Sequence, residues 1–225
     1  MFSIPSSRHC LCLASAGLLS FAVAHTAQAN LLTNGDFSLG TDRPAPEAPG
    51  NGQLADGWTQ LITAGWNNRE ENANGITPTD LHIALGNAGP TDNSLYQEVA
   101  ATAGDTYTLA VDSGSPDAWW KPVGAAIIEF RDALDAVIST SAANWEMPDY
   151  DVVLPWQNYS TSGVAPAGTT TVRVVLENSG PNGGTMRFDN AVLTSTPVPE
   201  PAAGALLMMG VGVVSSRRRS ARGVA

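Results

Sequence analysis

The chain has 225 residues, with 11 Lys plus Arg against 21 Asp plus Glu, 43% hydrophobic and 14% charged, a length that admits one sandwich-sized domain or two small ones and excludes a large multidomain enzyme. Charged residues fall below the roughly 25% of typical soluble domains, and 22 Gly with 15 Pro favour many turns over long helices. A net charge of −10 repels a phosphate backbone and argues against nucleic acid as a partner.

Arg8 precedes an apolar run from Leu11 to Val23, and Ala27-Gln28-Ala29 puts small residues at the two positions that a signal peptidase reads. Residues 1–29 are therefore expected to be a signal peptide, cleaved by signal peptidase before Asn30. The alternative is an N-terminal membrane anchor, for which the 13-residue run falls short of the roughly 20 residues that span a bilayer. Cys10 and Cys12 both lie in this segment, so the remaining chain has neither a disulfide nor a thiolate zinc site nor a Cys nucleophile.

Residues 30–196 form the expected exported domain, long enough to bury about 70% of its unfolded surface in one core. Its six Arg and Lys against 20 carboxylates leave a charge of −14, which suits cations or neutral ligands better than anions. Leu31-Leu32-Thr33 is a short apolar start, halted by Asn34-Gly35-Asp36, whose residues tolerate left-handed turn conformations. Thr41 to Gly57, with three prolines and three glycines, reads as a long surface loop.

Period-two patterns then predict strands at Trp58 to Ile62, Leu81 to Leu85 and Leu95 to Val99. Tyr107, Leu109 and Val111 alternate with Thr106, Thr108 and Ala110 as the clearest half-buried strand. Val123 to Phe130 and Ala136 to Thr140 flank a tight connection, although Phe130 to Ala136 also fits a helical turn. Tyr159 to Val164, Thr170 to Leu176 and Met186 to Leu193 complete the series. Nine or ten short strands at roughly ten-residue spacing with Gly/Pro turns predict an all-β sandwich rather than a βαβ fold.

Six tryptophans invite a sugar platform, because a flat ring covers the apolar face of a pyranose while amides and carboxylates bond its hydroxyls. Trp119 and Trp120 follow a polar run from Asp112 to Asp117, and Trp145 sits between Asn144 and Glu146 in an expected loop. These three rings with Asn144 are the expected ligand-binding residues, the alternative being that the rings anchor their loops to the core. Trp66, beside Asn67 and Asn68, is a weaker candidate.

Catalysis finds less support. His82, the one histidine after cleavage, lies in a strand-like pattern with no nucleophile elbow nearby and reads as structural or surface. Glu129 with Asp132, and Asp149 with Asp151, are carboxylate pairs of the type glycoside hydrolysis uses, but 20 carboxylates make such neighbours common.

Asn30-Leu31-Leu32-Thr33-Asn34-Gly35-Asp36-Phe37, Gly57-Trp58, Leu95-Tyr96-Gln97-Glu98-Val99, Gly104-Asp105-Thr106-Tyr107-Thr108-Leu109, Trp156 with Tyr159, and Arg187-Phe188-Asp189-Asn190-Ala191-Val192-Leu193, in this order, resemble a carbohydrate-binding-module jelly roll of the galactose-binding-like type. The resemblance implies core roles for Trp58 and Trp156. It also implies a structural calcium between the first and last strands at Asp36 and Asp189, although Ser38 stands where relatives carry a glutamate. The competing expectation is that the two aspartates cap turns.

The C-terminus holds Val198-Pro199-Glu200-Pro201, an apolar stretch from Ala202 to Val214, and Arg217, Arg218 and Arg219 with Arg222 beyond. Basic residues after an apolar stretch hold that end in the cytoplasm. The arrangement resembles the PEP-CTERM sorting signal, assigning residues 197–225 to sorting: a motif, a short apolar helix and an arginine cluster. That resemblance implies transient insertion in the inner membrane of a Gram-negative bacterium, processing by an exosortase near Pro199-Glu200-Pro201, and release or attachment outside. A plain tail anchor is the alternative, for which the stretch is short.

The expected protein is thus a secreted or cell-surface jelly-roll sandwich that binds extracellular polysaccharide without catalysis. A structural matrix or adhesion protein without a sugar site is the alternative, and a glycan-active hydrolase is third.

Overall fold

The computed structural model describes residues 28–40, 55–61, 66–71, 81–87, 92–115, 122–146, 154–179 and 184–197. These residues form ten strands and no helix: β1 (Thr59–Gln60), β2 (Trp66–Glu71), β3 (Leu81–Asn87), β4 (Asn93–Ala100), β5 (Thr106–Ser115), β6 (Val123–Arg131), β7 (Val137–Glu146), β8 (Leu154–Val164), β9 (Thr171–Ser179) and β10 (Gly184–Thr196). They build two five-stranded sheets, the first in the order β1-β4-β9-β6-β7 and the second in the order β2-β3-β10-β5-β8. Every pairing is antiparallel. The result is a jelly-roll sandwich.

Alternation explains the core between the sheets, because successive strand residues face opposite sides. Leu95 of β4, Leu109 and Val111 of β5, Ile128 of β6, Val174 and Leu176 of β9, and Met186 and Phe188 of β10 are all inaccessible to solvent. Phe188 and Leu193 both face inward although they lie five positions apart, a spacing that regular alternation would put on opposite faces. The shift comes from a bulge between Asp189 and Val192, where Asn190 takes a φ of 50° and resets the alternation.

Two local outcomes depart from the sequence pattern, and a third decides between its alternatives. β2 lies where Trp66-Asn67-Asn68-Arg69-Glu70-Glu71 carries no apolar alternation, and it forms by pairing along β3. β1 is reduced to two residues on β4. The connection from β6 to β7 is a tight turn rather than a helical one: Asp135 takes a φ of 63°, and the Asp132 carboxylate accepts bonds from the backbone N–H groups of Leu134 (2.8 Å) and Ala136 (2.9 Å).

The N-terminal segment is a strap rather than a strand. Leu31 N–H donates to Leu193 O and Ala191 N–H to Gly35 O, each at 2.8 Å. The Asn30 side chain donates to Ala191 O at 2.9 Å and accepts from the N–H groups of Leu32 (3.1 Å) and Leu193 (2.9 Å). Gln97 holds the strap from the first sheet, accepting from Thr33 N–H and donating to the carbonyls of Thr33 and Gly57. Phe37 closes the core, its ring 5.2 Å from that of Trp58.

The expected placement of Trp145 in a loop is corrected. It lies on β7 opposite Gly124 of β6, only 7% exposed, and its indole stacks on Tyr159 at 4.0 Å with Phe188 edge-on. A Cβ at position 124 would overlap the indole, so the bare glycine makes the room. β7 and β8, edges of different sheets, are stitched together where the hydroxyls of Ser141 and Thr161 meet at 2.8 Å and Ser141 also donates to Ser162 O.

Candidate functional site

The outer face of the second sheet follows from which residues its strands send to the core. Ile83 and Leu85 point inward, so His82, Ala84 and Gly86 of β3 face out. Met186 and Phe188 place Thr185, Arg187 and Asp189 of β10 on that face by the same rule. Val111 leaves Asp112 outward on β5, and Tyr159 leaves Asn158 and Trp156 outward on β8. Register places Arg187 between Ala84 and Gly114, and sets Asp189, Asp112 and Asn158 side by side.

Polar bonds order one end of this row. Asn158 Nδ2 donates to Asp112 Oδ1 at 2.9 Å, and Asn190 Nδ2 to Asp112 Oδ2 at 3.1 Å. Asp189 Oδ1 accepts from Asn190 N–H at 2.7 Å, and Ser113 Oγ donates to Arg187 O at 2.7 Å. The rings of His82 and Trp156 meet edge-on, 5.4 Å apart, across the two strands between them. His82, Arg187 and Asp189 are 1%, 4% and 1% exposed, whereas Trp156 and Asp112 are half-buried and Asn158 is exposed. The face thus runs from buried charge on the central strand to a partly exposed indole and an exposed amide at the β8 edge.

Several expected residues fall elsewhere. Trp119, Trp120, Asp149, Asp151, Ala27, Pro199, Glu200, Pro201, Arg217, Arg218 and Arg219 lie outside the described residues; Ala29 is exposed. Asn144 is exposed on β7 and points away from Trp145, since neighbours on a strand face opposite sides, so these two do not share a site. Trp58 is buried in the core at 4% exposure, but Trp156 belongs to the outer face rather than the core. The clue to Trp156 is parity with the inward Tyr159, three residues away on the same strand.

Asp36 is exposed, its Oδ1 accepting from the backbone N–H and hydroxyl of Ser38 at 3.3 and 3.1 Å, while Asp189 caps Asn190. Calcium takes six to eight oxygens. Among the described residues no group of three or more His, Cys, Asp or Glu side chains gathers that could hold a metal ion.

The first sheet presents a different outer face, crossed by an ionic row. Arg173 of β9 pairs with Glu98 of β4, reaches Asp135 at 3.3 Å, and lies 4.4 Å from the centre of the Tyr96 ring. Arg131 bonds Glu129 at 2.9 Å and Asp135 at 2.6 Å. Nearby, burial and then the charge of Asp92 push the Glu177 carboxyl above its usual range, with Ser179 opposing and Glu129 adding to the shift. The folded chain therefore holds that proton to higher pH than the unfolded chain, and stability should fall as pH rises through the raised pKa. Glu177→Gln is expected to flatten this part of the pH dependence and to raise the urea midpoint at neutral pH; parallel profiles for parent and variant would refute it.

The C-terminal residues fit one family model, a PEP-CTERM protein-sorting motif. The chain carries a PEP-CTERM motif at residues 197–220. It begins where β10 ends, at Thr196, so the PEP-CTERM segment directly continues the last strand in sequence. No similar protein is found among curated proteins.

Among solved structures, the chain is similar to the enzymatically active domain of bacteriophage CBA120 tailspike protein 4, with 12% identity and a TM-score of 0.52 over 74% of this chain and 21% of that one. It is also similar to an arabinose-bound GH51 α-L-arabinofuranosidase, with 12% identity and a TM-score of 0.51 over 75% and 26%. A third is the CBM22-1 xylan-binding domain of Paenibacillus barcinonensis Xyn10C, with 12% identity and a TM-score of 0.49 over 78% and 99%. The chain spans only 21% and 26% of the length of the first two, which share its fold.

Proposed function

We propose that this is an exported protein, handled at its PEP-CTERM motif by an exosortase, that binds extracellular polysaccharide non-catalytically on the outer face of its second sheet. The supporting observation is the partly exposed Trp156, set against His82 and flanked along the face by Asp112 and the exposed Asn158. An indole beside amide and carboxylate groups matches what a neutral sugar needs, an apolar platform with hydroxyl partners at its rim. The domain's charge of −14 adds a preference for neutral glycans. Fold alone does not fix function, so these side chains, and not the shared sandwich, carry the binding role. Trp119 and Trp120, which follow β5 in sequence, are proposed as further rings of the same site.

A structural matrix role is favoured by one observation, the near-complete burial of His82, Arg187 and Asp189. Affinity electrophoresis against a panel of neutral polysaccharides, with the parent and Trp156→Ala, separates the two. A stacked ring is worth on the order of 1.4 kcal/mol, a tenfold change in affinity. Trp156→Ala should therefore lose most retention while destabilising the fold much less than truncation of the core Trp145, since the ring is partly exposed. A well-folded variant retained as strongly as the parent, or a parent retained on nothing, would leave the structural role in its place.

A further inference from the structure

One end of the sandwich gathers several features that the polysaccharide face does not use. The connections β4–β5 (residues 101–105) and β8–β9 (165–170) both cross between the sheets there, joined by bonds from Gly104 N–H to Ala165 O and Ala165 N–H to Asp105 O. The β6–β7 hairpin lies at the same end, because Thr170 N–H donates to Arg131 O. β10 also finishes there, with Thr196 beside Thr106 and Thr106 beside Val164. Thr196 Oγ1 donates to Gln28 Oε1 at 3.4 Å, so the N-terminal segment reaches this end too.

The same end carries an unusual share of uncovered apolar side chains. Leu134 at the hairpin tip is 89% exposed, Val164 57%, Val137 47% and Ile138 40%. Its charges are largely spoken for: Asp132 caps the hairpin backbone, and bonds from Arg131 hold the Asp135 carboxyl below its usual range. The apolar stretch from Ala202 to Val214 begins only six residues beyond Thr196, and six extended residues reach at most about 21 Å. The apolar run from Leu11 to Val23 precedes Gln28 by a similarly short interval. Both apolar runs therefore join the domain at the end that exposes Leu134, Val137, Ile138 and Val164.

We propose that this end is a bilayer-docking surface, on which the folded domain rests against the lipid interface while the C-terminal apolar segment, and before signal-peptide cleavage the N-terminal one as well, holds it to the membrane. This presupposes that those termini enter the bilayer, as in the sorting role above. Side chains that cost apolar exposure in water gain about 25 cal/mol per Å² when the interface covers them. Docking would fix the domain with residues 197–201 near the membrane surface, where the exosortase proposed above would act.

The test uses the full chain with Cys10→Ser and Cys12→Ser, inserted in phosphatidylcholine vesicles containing doxyl-labelled lipid. An environment-sensitive dye is placed in separate variants at Leu134→Cys, at Val164→Cys and, as a control at the opposite end of β7, at Glu146→Cys; all three positions are exposed or largely so, and circular dichroism checks each fold. The expected result is that the chain floats with vesicles, and that the dyes at 134 and 164 shift to the blue and are quenched by the lipid label while the dye at 146 is not. Flotation without quenching at either position overturns the docking surface and leaves the membrane-held ends standing. A chain that does not float overturns both. Blue-shifted dyes without vesicles would assign the patch to a second copy or to the chain's own tail and overturn docking to lipid.

Discussion

Trp145→Ala should lower folding stability by about 3–5 kcal/mol, the usual cost of truncating a large core aromatic. The indole is 7% exposed, stacks on Tyr159 at 4.0 Å and meets Phe188 edge-on, so its loss leaves a cavity lined by rings that the two sheets hold apart. The cavity cannot collapse readily, because Gly124 opposite has no side chain to fill it. A loss of this size is a large share of the roughly 5–15 kcal/mol that stabilises a typical domain. Urea unfolding of parent and variant gives the number directly. A variant that unfolds at the parent's midpoint would show that the indole lies on the surface, as the sequence alone suggested. Trp156→Ala is the natural companion, expected to destabilise folding much less and to change binding instead.

Gly35→Ala is expected to be nearly as damaging for a different reason. A Cβ there would overlap the carbonyl oxygen of Ala191 and come within 3.0 Å of Asn30 Nδ2. The obstacle is backbone on a central strand, which cannot swing aside as a flexible side chain would. The strap must lift, losing the bond from Ala191 N–H to Gly35 O and disturbing the three bonds of the Asn30 side chain. Overpacking of this kind with one or two lost hydrogen bonds amounts to about 3 kcal/mol. Amide exchange should report it locally, with Leu31, Ala191 and Leu193 losing protection before the rest of β10. Unchanged protection at these amides would mean that the strap does not bear on the last strand.

How far the sequence carries can be seen residue by residue. Tyr107, Leu109 and Val111 announce β5 because each apolar residue alternates with a small or polar one, and burial follows that pattern without exception. Arg187-Phe188-Asp189 likewise encodes its own geometry, one ring in and two charges out. β2 is illegible because Trp66 to Glu71 owes its conformation to β3, a partner that the local pattern does not name. The inward turn of Leu193 depends on the bulge at Asn190, where a left-handed residue shifts the phase of everything after it. Trp145 and Trp156 exchange their expected roles because a ring's face is set by register: Gly124 must be known to lie opposite Trp145 before its burial makes sense.

The stitch between β7 and β8 bears on how such a chain survives crowding. An open strand edge is a template for a neighbouring copy, and a sandwich has four of them. The hydroxyl contacts from Ser141 to Thr161 and Ser162 draw two of these edges toward each other, which hinders an incoming strand at that point. Of the other two, β1 offers only two residues, and β2 carries Arg69, Glu70 and Glu71 in its sequence. Strand addition between copies is thus opposed on each flank by a different device, at Ser141 on one and by a short or charged edge on the others.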